Sequence, residues 1–168
     1  HYGVEPDIMA LGKGIANGFP LSCFIASQEI ADAFKPGDHL TTFGGNPVSC
    51  AASLASLQYQ EENNLPESVA KKGEVLKDAL RKINPTQLTI GEIRGKGLMV
   101  GIEIVKDSAS KEPASSEAVK IKTAMRENGV MIGIGGVFGN VLRIQPPLTI
   151  SEDELEQVVA ILNKVMTI

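Results

Sequence analysis

Residues 98–104 read LMVGIEI, a stretch in which large apolar side chains alternate with Met, Gly and Glu. A period of two predicts a β-strand with one buried face, because successive side chains of a strand point to opposite sides. The polar segment DSASKEP, residues 107–113, follows and indicates a surface loop. Residues 98–104 therefore predict a sheet in a chain whose other signals are largely helical.

Four helix starts flank this strand. Each combines a residue that can cap free amides, or a proline suited to the first turn, with apolar residues at helical spacing. The predicted starts are Asn46-Pro47, for a helix to about Glu62; Pro66, for a second helix; Ser115 or Ser116, for a helix that Gly129 ends; and the capping box of Ser151 and Glu154, for the last helix.

Short apolar runs predict further strands at residues 8–11, 21–26, 130–134 and 141–144. Strands and helices that mix within one stretch predict a helix layer packed on a sheet. We therefore expect a C-terminal α+β domain over residues 84–168, joined by long helices to part of something larger.

The composition is that of an ordinary globular protein, since 43% of the 168 residues are hydrophobic and 21% are charged. A net charge of −4, with no Trp, argues against a nucleic-acid surface, because phosphate binding needs a basic patch. No apolar run approaches the roughly 20 residues of a membrane span. Cys23 and Cys50 are isolated, and His1 and His39 lie far apart, so we expect no metal site and a reducing compartment such as the cytoplasm.

Lys13 lies between Gly12 and Gly14 at the end of an apolar run. One interpretation is a lysine in a tight turn with its ammonium in water, which is where most lysines are found. The other is a Schiff-base lysine, whose amine must be partly desolvated to react near neutral pH. Glycines on both sides would let the backbone approach a planar cofactor. The residues alone leave both interpretations open.

Two further segments carry side chains that could bind anions. Thr41 and Thr42 precede a Gly-Gly turn and the helix start at Asn46, which predicts either a phosphate site or simply a capped helix. Arg143 lies on an apolar strand that ends at a Pro-Pro pair. It is either a surface arginine at a sheet edge or the fork that binds a carboxylate.

Taken in order, four segments resemble the class III, pyridoxal-phosphate-dependent aminotransferases of fold type I. They are PDIMALGKGIANGFPLS (residues 6–22), HLTTFGGNP (39–47), IRGKGLMVGIEI (93–104) and LRIQPPLTIS (142–151). The resemblance covers essentially the whole chain. It implies an α/β protein, in which residues 1–50 end the large cofactor-binding domain, residues 51–83 form connecting helices and residues 84–168 form a small α+β C-terminal domain.

The resemblance also implies a cofactor and a set of roles. Pyridoxal 5'-phosphate would be the cofactor and Lys13 its Schiff-base lysine. Thr42 would bind the cofactor phosphate across the interface of a homodimer. Arg143 would hold the carboxylate of the amino acid or keto acid. The family's aspartate for the pyridine nitrogen, its ring-stacking aromatic residue and its phosphate turn are expected upstream of His1, so this chain would be the C-terminal portion of such an enzyme.

The implied activity is transamination between an amino acid and a 2-oxo acid. The amino donor is left open among ω-amino acids such as 4-aminobutyrate, N-acetylornithine and alanine. Aminomutases and decarboxylases share these motifs and remain alternatives. A further alternative is that the chain by itself is a non-catalytic fragment or dimerisation module, without transaminase activity.

Overall fold

The structure is a computed structural model in which residues 2–167 are described. The chain divides into two compact units, one ending at Asn63 and the other beginning at Asn64. The division predicted from the sequence, with boundaries after residues 50 and 83, stays a prediction.

The first unit contains a two-stranded sheet and two α-helices. The strands pair antiparallel, with Ile8 opposite Ala26 and Leu11 opposite Cys23. The two predicted apolar runs are therefore confirmed as partners in one ribbon, although the second strand begins two residues later than expected. The elements of this unit are β1 (Ile8–Leu11), a 3-10 helix (Lys13–Ala16), β2 (Cys23–Ala26), α1 (Gln28–Ala31) and α2 (Pro47–Glu62).

Helix α2 begins where the sequence predicts. The Asn46 Oδ1 atom accepts a hydrogen bond from the Ser49 backbone N–H at 2.9 Å, and Pro47 occupies the first turn. Both features satisfy or remove amides that have no partner within the helix. The Asn46-Pro47 prediction and the end of this helix at Glu62 are confirmed.

The second unit is a four-stranded antiparallel sheet with three helices. The strand order is β3-β4-β6-β5, so that β3 and β5 are the edges. This mixture of helix and sheet confirms the predicted α/β class. The elements are α3 (Leu65–Leu80), β3 (Thr89–Lys96), β4 (Met99–Val105), α4 (Ser115–Glu127), β5 (Gly133–Gly135), β6 (Val141–Ile144) and α5 (Glu152–Thr167).

The core of this unit lies between one face of the sheet and the helices. Val100, Ile102 and Ile104 on β4 are buried, and so are Leu142 and Ile144 on β6. The β-strand with one buried face that was predicted for residues 98–104 is therefore confirmed, because every second side chain enters one hydrophobic core. The helices contribute Leu76, Leu80, Ala118, Ile121, Met125, Leu155, Leu162 and Met166 to the same core.

Two local predictions are wrong. The strand expected at residues 130–134 is only Gly133–Gly135, because the Val130 N–H donates to Met125 O and so belongs to the end of α4. Neither Ser115 nor Ser116 caps that helix; its N-cap is Ala114, and the Ser115 hydroxyl donates to Phe138 O at 2.6 Å. Gly129 adopts a left-handed φ of 85° after α4, as predicted.

Candidate cofactor and substrate site

Lys13 opens the 3-10 helix of the first unit in an unusual backbone conformation. Its φ is +51°, in the left-handed region that residues with a side chain seldom adopt. Such a conformation costs free energy, and residues held in it cluster at functional sites, although Lys111 adopts it in a surface loop as well. The Lys13 side chain is exposed, and within residues 2–167 its amine has no hydrogen bond or ion pair. The amine is therefore available to a ligand.

The Lys13 turn is held by helix α2. The 3-10 helix packs against α2. Its last residue, Ala16, is completely buried, and Ser49 and Ser53, one turn apart on α2, are buried as well. Such small side chains allow two helical segments to approach closely. The backbone that carries the exposed Lys13 side chain is therefore held by buried contacts with α2.

The turn that contains Thr42 leads directly into the N-terminus of the same helix. Gly45 has a φ of +66°, which suits glycine, and a β-carbon on Gly44 would lie 2.1 Å from Thr41 Cγ2. The Asn46 amide donates to Phe43 O at 3.1 Å and ties the turn to the helix cap. Thr42 is exposed, and its hydroxyl has no partner within the described part of the chain.

An open pocket of about 660 Å³ lies beside this turn in the first unit. Thr41 and His39 line it, together with Ser22 from the segment that follows Lys13. Sequence reasoning considered His39 only as a metal ligand and did not single out Ser22. The signal that could have found them is their closeness in the chain to Thr42 and Lys13. The remaining lining residues are Pro20, Leu21, Phe43, Gly44 and Gly45.

Arg143 lies in the second unit, on the face of the sheet opposite the helices. It is opposite Gly101 of β4 on one side and Gly133 of β5 on the other. Arg94 of β3 is opposite Gly101 as well, so both arginines point to the same side. We call this side, which carries Arg94, Gly101, Glu103, Gly133 and Arg143, the arginine face.

The two arginines of this face differ in their partners. Arg94 forms ion pairs with Glu92 at 2.5 Å and with Glu103 at 2.8 Å. The hydrogen bond from Arg94, aided by one from Asn140, lowers the pKa of Glu103 below its usual value. Arg143 is exposed and makes no ion pair or side-chain hydrogen bond to any residue from 2 to 167. Arg143 is therefore the guanidinium of this face that is left to bind an external anion.

Lys13 and Thr42 thus belong to the first unit and Arg143 to the second. Their assigned roles stay predictions. Among the described residues, no group of three or more His, Cys, Asp or Glu side chains could hold a metal ion, and His1 lies outside those residues. Over the same part of the chain, no helix is long and apolar enough to cross a membrane.

Comparison with known proteins gives close matches along the whole chain. The alanine–glyoxylate aminotransferase 2 homolog 2 of Arabidopsis thaliana, described as mitochondrial, is 42% identical over 166 residues, which are 99% of this chain and 35% of that protein. The acetylornithine aminotransferase of Caldanaerobacter subterraneus is 41% identical over 167 residues, which are 99% of this chain and 39% of that protein.

A solved structure agrees with these relatives. The crystal structure of a Bacillus anthracis aminotransferase superposes with a TM-score of 0.91 at 39% identity, and the match covers 98% of this chain and 39% of that one. The chain spans only 35% to 40% of the length of the curated relatives that it matches. The family model described as aminotransferase class-III matches residues 1–166, and the chain belongs to that family.

Proposed function

We propose that this class-III aminotransferase chain forms part of a pyridoxal-phosphate-dependent transaminase. The enzyme transfers an amino group between an amino acid and a 2-oxo acid. The amino acid is an ω-amino acid such as 4-aminobutyrate, N-acetylornithine or alanine. The observation that carries the proposal is the exposed amine of Lys13, which has no partner within residues 2–167 and lies in a left-handed turn.

The residues of the first unit fit the cofactor by their chemistry. Lys13 offers a primary amine to an aldehyde, and Thr42 offers a hydroxyl to a phosphate in front of the α2 N-terminus, where amides favour anions. Pyridoxal phosphate, when bound, supplies the aldehyde that a lysine amine attacks and a ring that withdraws electrons from the substrate. Lys13 would hold the cofactor covalently, and Thr42 would bind its phosphate in the partner subunit.

Lys13 also serves as the base of the reaction. With the cofactor bound, a free Lys13 Nζ atom would remove the proton from the carbon that carries the substrate amino group. A neutral amine is required for this step. The packing of the 3-10 helix against α2 holds the backbone from which the Lys13 side chain projects, which favours a productive approach.

Arg143 orients the substrate. Its guanidinium can donate two parallel hydrogen bonds to a carboxylate, and the absence of an internal partner within the described chain leaves both available. Arg94, which two carboxylates already neutralise, is a weaker candidate. The same pair of hydrogen bonds serves the amino acid in one half of the reaction and the 2-oxo acid in the other.

The proposed assembly is a homodimer in the cytoplasm. The apolar side chains of Ile8, Phe24 and Ile25 are about half exposed in the first unit, at 56%, 48% and 59%. Ile8 and Phe24 share one face of the β1–β2 ribbon, and Ile25 lies on the other face. Exposed apolar groups favour a contact with further protein, which supports burial of this ribbon in the intact dimer. Cys23 and Cys50 are free thiols, which suits a reducing compartment.

Reductive labelling tests the proposal. The intact protein that contains this chain is incubated with pyridoxal phosphate, reduced with borohydride and digested, and the modified lysine is located by mass spectrometry. We expect the label on Lys13. Lys13→Ala should remove it, and Lys35→Ala, a control at another exposed lysine of the first unit, should not. Label on another lysine in the wild type would contradict the assignment.

Product analysis separates transamination from the other reactions of related enzymes. The loaded protein is supplied with an amino acid and 2-oxoglutarate, and both products are quantified. Equal amounts of glutamate and of the carbonyl product of the donor, which is an aldehyde for an ω-amino acid or N-acetylornithine and a 2-oxo acid for alanine, support transamination. Loss of carbon dioxide, or consumption of the amino acid without glutamate, would contradict it.

A further inference from the structure

Two glycines of the edge strand β5 lie directly beneath the Arg143 side chain. A β-carbon on Gly133 would lie 3.1 Å from Arg143 Nη2 and 3.2 Å from its Nε. A β-carbon on Gly135 would lie 2.9 Å from Arg143 Cδ. The arginine therefore lies flat across β5, over backbone that no side chain covers.

The need for glycine at these two positions comes from space and not from backbone conformation. Neither Gly133 nor Gly135 is among the glycines with a positive φ. Alanine could adopt the same backbone at both positions. Alanine could not leave the guanidinium where it is, because contacts of 2.9–3.2 Å with Arg143 are tighter than carbon packing normally allows, and the arginine side chain must shift by a few tenths of an ångström or more. The flexible Arg143 side chain would move, and the backbone of β5 would keep its conformation.

Gly101, on the other side of Arg143, provides an internal contrast. It lies opposite Arg143 across β4 and β6, at the same level of the sheet as Gly133. A β-carbon there would meet Val141 Cγ1 at 3.1 Å and Arg94 O at 3.9 Å, and no Arg143 atom within 4 Å. Of these three glycines, the two on β5 are the ones that control the arginine.

We propose that Gly133 and Gly135 are positioning residues for substrate recognition. By leaving the surface of β5 bare, they let Arg143 extend across the strand and set the place where its guanidinium meets a substrate carboxylate. This inference rests on the proposed function, in which Arg143 binds that carboxylate. In this inference, Gly133 and Gly135 contribute to the enzyme's selectivity for carboxylate substrates over simple amines.

The physical reason is the steep dependence of bidentate binding on geometry. Two parallel hydrogen bonds form only when the guanidinium and the carboxylate are coplanar and correctly spaced. Displacement of a positioning group by about 1 Å can cost up to about 100-fold in rate. A methyl group beneath Nε and Nη2 tilts and lifts the guanidinium without removing its charge. Long-range attraction of acids therefore survives, and the paired contact weakens.

The test compares Gly133→Ala, Gly135→Ala and the control Gly101→Ala in the intact, cofactor-loaded protein. The affinity for 2-oxoglutarate is measured by titration, and kcat/KM is measured for an amino acid and for butylamine, which has no carboxylate. We expect the affinity of both β5 variants for 2-oxoglutarate to fall about tenfold and their kcat/KM for the amino acid to fall by a similar factor. We expect butylamine kinetics to stay unchanged in both, and the affinity for 2-oxoglutarate to stay unchanged in Gly101→Ala, whose methyl group meets the buried Val141 Cγ1 and lowers thermal stability instead.

A readout that does not depend on activity accompanies these titrations. The NMR resonance of the Arg143 Nε–Hε group, identified by its loss in Arg143→Ala, should shift in both β5 variants and stay in place in Gly101→Ala. The two β5 glycines are substituted in separate proteins. If one variant fails to fold, the other still tests the positioning role. Thermal unfolding monitors folding in each.

The outcomes separate this inference from the proposed function. If Arg143→Ala binds 2-oxoglutarate as tightly as the wild type, the proposed role of Arg143 is wrong, and the positioning role falls with it. If Arg143→Ala weakens binding but the β5 variants match Gly101→Ala, the positioning role alone is wrong. An equal loss in Gly101→Ala would also overturn it, because the cause would then be a general disturbance of the sheet.

Discussion

Gly73 in the middle of α3 and Gly97 in the turn between β3 and β4 are in direct backbone contact. A β-carbon on Gly73 would lie 2.3 Å from the Gly97 carbonyl oxygen and 2.5 Å from its carbonyl carbon. Gly97 is restricted too, since its φ is +52° and a β-carbon there would lie 2.8 Å from Val69 Cγ1. This contact brings α3 close to the end of the sheet's first hairpin.

We therefore expect Gly73→Ala to destabilise the protein. At an open helix position, this substitution gains up to about 1 kcal/mol because alanine has the higher helix propensity. Here the methyl group meets a backbone carbonyl, and overpacking of this kind costs about 1–3 kcal/mol or more. Urea unfolding should show a net loss of stability. Ala70→Gly, at an exposed position of the same helix, is the control and should lose about 1 kcal/mol by propensity alone. Increased stability in Gly73→Ala would contradict the contact.

The capping box at the start of α5 predicts a dependence of stability on pH. The Ser151 N–H donates to Glu154 Oε2 at 2.8 Å, and the Glu154 N–H donates to Ser151 Oγ at 3.2 Å. The hydrogen bonds from the Ser151 backbone and hydroxyl lower the pKa of Glu154 below its usual value of 4.5. A lowered pKa in the folded state stabilises the protein above the unfolded-state pKa, and that stabilisation is lost as the pH falls through the folded-state pKa.

Glu154→Gln isolates this effect, because glutamine completes the same box without titrating. We expect stability to decline less steeply for Glu154→Gln than for the wild type as the pH falls below about 4.5. Thermal unfolding between neutral pH and pH 3 measures the difference. Parallel curves for the two proteins would show that Glu154 titrates alike in the folded and unfolded states. Ser151→Ala should cost about 1 kcal/mol near pH 7, because it removes the N-cap.

Asn46 links the Thr42 turn to α2, and two substitutions can separate its two hydrogen bonds. Asn46→Asp keeps an acceptor for the Ser49 N–H but removes the donor to Phe43 O. Asn46→Ala removes both and should destabilise the protein by about 1 kcal/mol. Hydrogen exchange should show the Ser49 amide protected in Asn46→Asp and unprotected in Asn46→Ala. If the Ser49 amide exchanges equally fast in both variants, the side-chain cap is not what protects it.

Arg143→Ala should weaken the binding of carboxylate substrates and leave carboxylate-free amines nearly unaffected. A hydrogen bond to a charged group contributes about 1.5–3 kcal/mol, which corresponds to about 10- to 150-fold in affinity. The ratio kcat/KM for an amino acid and for butylamine provides the measurement, because it reports the half-reaction with the amino donor and is independent of the half-reaction with the 2-oxo acid. Arg94→Ala is the matched control on the arginine face, because Glu92 and Glu103 already pair with Arg94. An equal loss for both substrates in Arg143→Ala would indicate a structural role.

Much of the local structure could be predicted because it depends on residues close in the chain. The Asn46 cap and the Ser151–Glu154 box each join residues three apart. Gly129 ends α4 through its own left-handed φ. The candidate site residues Lys13, Thr42 and Arg143 were found in the same way, from their neighbours in the chain and from the resemblance that those segments carry.

Contacts between distant residues account for the failures. Ser115 looks like an N-cap, yet its hydroxyl is diverted to Phe138 O, which is 23 residues away. The residues of β3 show no clear apolar alternation, because β3 is an edge strand that carries Glu92 and Arg94. Arg94 pairs with Glu103, which lies on the neighbouring strand β4. A sequence pattern reflects the conformation that one segment favours by itself. It contains no information about the distant residues that contact this segment in the folded protein.

The sequence by itself therefore determined the family, the caps of α2 and α5, the end of α4 and the buried face of β4, since each depends on short-range geometry or on ordered motifs. Only the tertiary structure decided which arginine of the arginine face is free. Arg94 and Arg143 have the same chemistry, but strand pairing sets Arg94 beside Glu103 and sets Arg143 over the bare glycines of β5. The difference arises from the register of the strands, which pairs residues as far apart in the chain as Val100 and Ile144, and the free energy of an ion pair depends on such proximity.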